Sequence, residues 1–317
     1  MQNINKKNID WSSVGILLSL LLMFTFFSIR SENFLSTNNM LNILRQISIT
    51  GICAVGMTTV ILTGGIDLSV GSVIGLSAVS CALMLSSGVP ILLALLITFI
   101  IALGIGAVIA TFINYVTIPP LITTLAMMTT LRGAIYLICG GMPVYGLPVS
   151  FKFLGQGNLL GIPVSVIIMV FFFIAGIILL NKTVFGRCVY GIGGNEEATR
   201  LSGVNIKAVI YKVYMLEAFL AAMSGLVLMS RVNSGQPSAG DGYEMDIITA
   251  VVLGGVSVSG GEGKLFKVII GVLFMGVLAN GMLMLNISEY WQRVVKGLVL
   301  LLAVSIDILS KKQKIKA

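Results

Sequence analysis

Long apolar stretches separated by short polar turns dominate the sequence. Because about 20 consecutive apolar residues cross a bilayer as a helix, these stretches predict about ten membrane spans. The predicted spans are 11–29, 44–62, 68–85, 91–116, 121–139, 162–180, 213–229, 247–260, 268–285 and 291–309. Pro90, the Pro119–Pro120 pair and Pro163 stand at span starts, where a missing backbone N–H is tolerated. The pattern predicts an all-α, polytopic membrane helical bundle, with residues 1–317 forming a single domain.

Composition agrees with this class of protein and excludes several functions. Only 10% of the residues are charged and 57% are hydrophobic, whereas soluble domains carry about 25% charged residues. The net charge of +8 lies at span ends and in loops, so it does not indicate nucleic-acid binding. The chain has no histidine, which removes the commonest general base and metal ligand. We therefore expect no catalytic residues, no metal site and no cofactor.

The distribution of basic residues predicts the orientation. With the N-terminus inside, thirteen of the twenty Lys and Arg residues fall in cytoplasmic segments. This excess follows the positive-inside rule. We expect a multi-pass protein of the bacterial cytoplasmic (inner) membrane, in contact with lipid and with both termini in the cytoplasm.

The motif GGIDLSVG at residues 64–71 contains the only charge between Arg45 and Arg132, namely Asp67. An acidic side chain at membrane depth is costly and usually functional. The surrounding glycines disfavour a continuous helix, and Asp67 is a good N-cap for a helix beginning near Leu68. We expect a broken or re-entrant helix that lines a polar path. The alternative is that Asp67 only caps a helix at the water interface.

A weak internal repeat points to a second such segment. GGVSVSGG at 254–261 echoes the first motif, with Ser257 in place of Asp67, and suggests two weakly related halves. Arg132 is expected to face inward and to pair with Asp67 or Glu217, although a charge pair that only fixes packing is equally compatible. Glu217 could instead lie at the cytoplasmic interface. The predicted substrate pathway comprises Asp67, Ser69, Arg132, Glu217 and Ser257.

The longest basic loop, at about 181–212, contains a short capped helix. Asn195 is a suitable N-cap, acidic residues fall in the first turn, and Gly203 provides the stop. Such a helix suits a groove on a cytoplasmic partner, and the alternative is an ordinary surface loop. The residues proposed for this contact are Asn195, Glu196, Glu197, Arg200, Leu201 and Gly203. Neither GGEGKL near Lys264 nor GIGGNE near Gly191 completes a nucleotide-binding motif.

Five motifs, taken in order, resemble the sugar-type permeases of bacterial ATP-binding-cassette importers, the ribose, xylose and galactose permease group, which is related to branched-chain amino acid permeases. They are GGIDLSVG (64–71), TLAMMTTLRG with GGMPV (124–144), GRCVYGIGGNEEATRLSGV (186–204), QPSAGDGYEMDIITAVVLGGVSVSGGEG (236–263) and YWQRVVKGLVLLLAV (290–304). The resemblance implies a permease subunit that pairs with a second copy or close paralogue. It also implies cytoplasmic ATP-binding subunits, an extracytoplasmic sugar-binding protein, and a coupling role for 195–203.

On this resemblance we expect alternating-access import of a monosaccharide, a ribose-like pentose or related sugar, with ATP hydrolysed on a separate subunit. Asp241, Glu244 and Asp246 lie in a predicted external loop and would contact the binding protein, although acidic loops are often only solvated. An ion-gradient-driven secondary transporter or channel remains an alternative, as does a same-family permease for a nucleoside or quorum-signal sugar. A membrane-embedded enzyme is disfavoured by the absence of histidine and of clustered carboxylates.

Overall fold

A computed structural model describes residues 11–316 and shows an almost entirely helical chain. The long helices are α1 (Trp11–Arg30), α2 (Thr37–Leu62), α3 (Val70–Ser86), α4 (Ile91–Thr111), α5 (Pro120–Cys139), α7 (Val164–Lys182), α10 (Ile206–Val232), α12 (Leu265–Met284) and α13 (Glu289–Lys316). Shorter ones are α6 (Phe153–Gln156), α8 (Val184–Gly194), α9 (Glu196–Leu201) and α11 (Tyr243–Leu253). A π-helical turn (Phe112–Val116) extends α4, and a 3-10 turn (Val149–Lys152) precedes α6. The strands β1 (Asn158–Leu159) and β2 (Ile162–Pro163) form one antiparallel hairpin.

The prediction of an all-α membrane bundle is confirmed. In the described chain, six helices are long and apolar enough to cross a membrane, namely Thr37–Leu62, Ile91–Val116, Pro120–Cys139, Val164–Lys182, Ile206–Val232 and Leu265–Met284. Two further apolar segments, Gly15–Arg30 and Val70–Ser86, are shorter. Prolines begin helices as predicted, since Pro90, Pro119 and Pro163 are the N-caps of α4, α5 and α7.

The centre of the bundle is formed by α2 and α10. α10 packs against α2, α3 and α4, and α2 also packs against α7 and α12. By contrast, α4 and α5 leave most of their apolar surface uncovered. A lipid-facing surface has this character because lipid solvates apolar side chains as well as the protein interior does.

The predicted eighth span, 247–260, is wrong. α11 has 11 residues and is about 16 Å long, which is too short to cross a bilayer. It begins at Tyr243 and ends at Leu253, where residues 254–264 leave the helical conformation. The motif GGVSVSGG (254–261) therefore lies in a turn and is not part of a membrane helix.

The segment before α11 is also non-helical and enters the bundle alongside α3. A Cβ atom at Gly75 would collide with the carbonyl oxygen of Ala239, and one at Gly71 with that of Gly240. At the other end of α3, Gly235 packs against Ala82. Residues 235–240 thus run antiparallel to α3 over a length of about 16 Å. α11 consequently starts inside the bundle, as a broken helix does.

Candidate functional site

Asp67 forms a turn with Ser69 and does not cap the helix as predicted. The Asp67 carboxylate accepts hydrogen bonds through Oδ1 from the Ser69 backbone N–H at 2.7 Å and the Ser69 hydroxyl at 2.6 Å. Ser69 is the residue preceding α3, which begins at Val70, two residues later than predicted. Asp67 is 2% exposed and Ser69 fully buried. The carboxylate is therefore held by its own turn.

The turn lies inside the bundle. The Thr124 hydroxyl donates to the carbonyl of Ile66 at 3.1 Å, and the Ser72 hydroxyl donates to the carbonyl of Met128 at 2.9 Å. Because Thr124 and Met128 follow the first residue of α5 by one and two turns, the segment is about 6–12 Å within that helix end. The predicted break in the helix is confirmed by residues 63–69, which are not helical.

Arg132 binds the non-helical segment before α11 and does not form the predicted pair. Its Nη1 atom donates to the carbonyl of Ala239 at 3.0 Å and lies 3.5 Å from that of Pro237. Within the described chain, no salt bridge joins Arg132 to Asp67 or Glu217. The prediction considered only pairs of opposite charges within the membrane. It overlooked the backbone carbonyl groups, which the unwound segment leaves free to accept hydrogen bonds.

Glu217 lies in the middle of the bundle rather than at an interface. It is fully buried in α10, and its side chain packs against Gly56 of α2, where any Cβ atom would collide with it. Neither carboxylate oxygen has a hydrogen-bond partner in the described chain, nor does the hydroxyl of the neighbouring Tyr214. Burying a carboxylate without a hydrogen-bond partner is costly, so Glu217 is an unusual residue for this position.

Three glycine-containing segments meet at one end of the bundle. The Gly261 N–H donates to the carbonyl of Leu62 at 2.9 Å, and Gly193 packs against both residues. A Cβ atom at Gly260 would lie 2.9 Å from the backbone of Gly64 and 3.1 Å from that of Gly193, closer than ordinary van der Waals contact. We call this contact between residues 62–65, 193–194 and 260–261 the glycine junction. The two echoed motifs are thus in direct contact, and the C-terminal end of α8 joins them.

Ser257 is held in place by a residue that the sequence did not single out. The Ser257 hydroxyl donates to Asp307 Oδ2 at 2.9 Å, and the Val258 N–H lies 3.3 Å from the same oxygen. Ser257 is 2% exposed. The contact connects α13 to the turn that enters the glycine junction, so Ser257 and Asp307 position this turn.

The short helix predicted from Asn195 is confirmed as α9. The Asn195 side chain accepts from the Ala198 N–H at 2.9 Å, and Gly203 has a φ of +84°. Glu197 and Arg200 form an exposed ion pair at 2.6 Å, which raises the pKa of the Arg200 guanidinium above its ordinary value. Leu201 is 79% exposed. Glu196 lies in the first turn of the same helix.

The sequence did not predict α8, which connects α9 to the bundle. The Tyr190 hydroxyl donates to the carbonyl of Gly263 at 2.9 Å, and Val189 and Ile192 are buried. This apolar face at helical spacing was the signal in the sequence, although the four glycines in 186–194 obscured it. α9 begins two residues after Gly194, so it directly follows the end of α8 that forms part of the glycine junction.

The three acidic residues predicted for an external loop instead line a cavity, which we call the α11 cavity. The cavity has a volume of about 370 Å³ and lies between α2, the start of α11 and the start of α13. Asp246 pairs with Lys296 at 2.6 Å, and Arg293 pairs with Glu289 at 2.8 Å and Asp241 at 3.6 Å. Glu244 is only 9% exposed. The alternative of an acidic loop that is only solvated does not fit Glu244 and Asp246, because α11 begins before them and carries them inward. Their contact with a binding protein stays a prediction.

Comparisons with known proteins agree with the architecture. Residues 39–304 match the family described as "Branched-chain amino acid transport system / permease component". No solved structure matches the chain.

Three relatives are similar over nearly their whole length. The ribose import permease protein RbsC of Bacillus subtilis (strain 168) is 45% identical over 93% of this chain and 92% of its own. The L-arabinose transport system permease protein AraH of Escherichia coli (strain K12) is 38% identical, over 96% and 93%. The probable ABC transporter permease protein YphD of the same organism is 34% identical, over 96% and 92%.

Proposed function

Because the chain belongs to the family of branched-chain amino acid transport system permease components, we propose that it is the membrane subunit of an ATP-driven importer for a monosaccharide. The observation that carries this proposal is the similarity to permeases named for ribose and L-arabinose import, at 45% and 38% identity over more than nine-tenths of the chain. A pentose of this kind is the proposed cargo. Uncharged polyols need few fixed charges on their route, which suits the few ionisable groups inside this bundle.

α9 is the proposed coupling helix. It is exposed, capped at both ends by Asn195 and Gly203, and displays Leu201 to solvent. A six-residue helix is unstable alone in water, so its folding against the protein suits a preformed plug for a groove on an ATP-binding subunit. α8 would pass movement of α9 to the glycine junction and from there to the turn containing Asp67.

The remaining partners and the orientation follow from the same assignment. The α9 end of the bundle faces the cytoplasm, with both termini on that side of the bacterial inner membrane, and the α11 cavity opens to the opposite side. A sugar-binding protein would deliver cargo there, with Asp241 as a contact because it stays exposed at the cavity mouth. A second permease copy or a close paralogue would cover part of the apolar surface of α4 and α5 that this chain leaves bare.

Uptake of labelled D-ribose, L-arabinose and L-leucine by membrane vesicles tests the function. The vesicles would contain the permease, its ATP-binding subunit and the binding protein, with and without internal ATP. We expect sugar uptake that requires ATP and the binding protein. Uptake of leucine alone, or sugar uptake that survives ATP removal and collapses with the membrane potential, would overturn the proposal.

The double variant Glu197→Ala, Arg200→Ala tests the coupling helix in the same vesicles. Both side chains are exposed, so we expect normal insertion and thermal stability but little ATP-dependent uptake. The double variant Arg30→Ala, Glu32→Ala removes two exposed charges of opposite sign at the end of α1 and in the turn after it, outside α9 and the α11 cavity, and provides the control. Unchanged uptake per ATP hydrolysed in the double variant would remove α9 from the mechanism.

A further inference from the structure

The α11 cavity is a polar concavity whose two ends differ. Arg293, Glu289 and Asp241 surround its mouth with exposed side chains. Gln46 and Thr50, which are one turn apart on α2, also line the cavity. Lys296 lines it as well and follows Arg293 by almost one turn on α13. A volume of about 370 Å³ falls in the range of small-molecule sites.

The charges of the cavity disfavour an anionic ligand. Lys296 is already paired with Asp246, and Arg293 with Glu289, so neither cation is available as a strong anion site. Four carboxylates against two cations would also repel an anion. In residues 11–316, no group of three or more His, Cys, Asp and Glu side chains is placed to hold a metal ion.

The groups that remain offer both donors and acceptors. The Gln46 amide can donate and accept, and so can the Thr50 hydroxyl. Asp246 uses Oδ2 for Lys296, while its Oδ1 is buried without a hydrogen-bond partner. The Tyr243 ring lines the same space and adds an apolar surface with a polar tip. Hydroxyl groups around a small apolar ring match this combination of partners.

We infer that the α11 cavity binds one molecule of the transported monosaccharide on its way into the bundle, between α2, α11 and α13. The inference rests on the proposed function and adds a site to it. In the bound state, sugar hydroxyls exchange hydrogen bonds with Gln46 and Thr50. The Asp246–Lys296 pair forms the wall that orients them. Asp67, closed on Ser69, makes no contact with the sugar here.

Thiol protection on the complete importer tests occupancy directly. A Cβ atom at Gly297, which lines the cavity, would meet nothing within 4 Å, so Gly297→Cys is accommodated. Cys139 and Cys188 are first replaced by Ser, because they are not fully buried. We expect D-ribose to slow modification of the introduced thiol by a membrane-impermeant reagent about fivefold, since a bound ligand fills most of such a pocket. Ser150→Cys, in an exposed turn before α6, provides the control that ribose should leave unchanged.

Conservative variants test recognition. Gln46→Leu and Thr50→Val remove polar groups at similar volume, and we expect each to raise the ribose concentration required for protection by about two- to tenfold. Thr98→Val removes a buried hydroxyl that bonds its own helix in α4, and it should change nothing. Equal protection in all variants, or none in the parent, would overturn the inference.

The proposed function and the inference about the α11 cavity can be disproved separately. If ATP-dependent ribose uptake persists while ribose gives no protection, the importer is intact and the sugar bypasses the α11 cavity. If L-leucine protects and ribose does not, the cavity binds a different cargo and both proposals fall. A Gln46→Leu or Thr50→Val variant that loses uptake but retains the parent's protection curve also contradicts the site.

Discussion

The α11 cavity and the glycine junction lie at opposite parts of the bundle and are built from different materials. The cavity is lined by side chains, with Asp246 and Lys296 paired across two helices at 2.6 Å. The junction is made of backbone, where Gly193, Leu62 and Gly261 approach closer than side chains permit. The side chains of the cavity can recognise a ligand chemically, whereas the backbone contacts of the glycine junction can only transmit movement.

On the proposed function, this difference would give the two regions separate tasks. A backbone contact between three segments moves as a unit, because packed interfaces tend to have discrete arrangements. The junction joins α8, and through it α9, to the turn containing Asp67. The α11 cavity lies at the start of α11, at Tyr243, whereas the segment that leads to the junction follows its last residue, Leu253. On the proposed function, α11 would connect the region that recognises the ligand with the region that transmits movement.

The largest effect should follow a methyl group in the junction. A Cβ atom at Gly193 would collide with the Leu62 carbonyl, while one at Gly194 would meet nothing within 4 Å. We expect Gly193→Ala to cost about 1–3 kcal/mol of stability and to abolish uptake, with Gly194→Ala close to the parent. Thermal unfolding in detergent and vesicle uptake measure both. Similar behaviour of the two variants would contradict the junction as the site of coupling.

A comparable loss of stability, with uptake reduced rather than abolished, should follow loss of the cavity's inner ion pair. Lys296→Met leaves the Asp246 carboxylate largely buried and unpaired, since the two side chains are 24% and 16% exposed, and should cost about 3 kcal/mol. The double variant Asp246→Asn, Lys296→Met should recover most of this loss of unfolding free energy. A double-mutant cycle from thermal unfolding checks the coupling. Additive losses would show that the pair contributes no interaction of its own.

The smallest effect should come from Asp67→Asn. The asparagine oxygen can still accept from the Ser69 N–H and hydroxyl, so stability should change by less than about 1 kcal/mol and uptake should persist. Asp67→Ala removes both bonds and should be worse by about 1–2 kcal/mol. Abolished uptake in a stable Asp67→Asn variant would instead give Asp67 a charge-dependent role in transport.

Sequence reasoning reached the fold class and the break at residues 63–69, because charge, glycine and apolar run length each act locally. It misplaced the eighth span, since an apolar stretch of 14 residues does not reveal where an adjacent unwound segment enters the bundle. Arg132 was assigned a carboxylate partner when backbone carbonyls were available. Lys296 and Asp307 were missed because their partners are 50 residues away in sequence, a separation that only the folded chain brings together.

The most direct test is the amount of ribose imported per ATP hydrolysed in reconstituted vesicles, measured for three variants in parallel. Gly193→Ala should lower this ratio while leaving thiol protection by ribose intact. Gln46→Leu, Thr50→Val should weaken protection while leaving the ratio unchanged, and Thr98→Val should match the parent in both. The opposite assignment, with the junction variant altering protection and the cavity variant altering the ratio, would contradict the division between recognition and coupling.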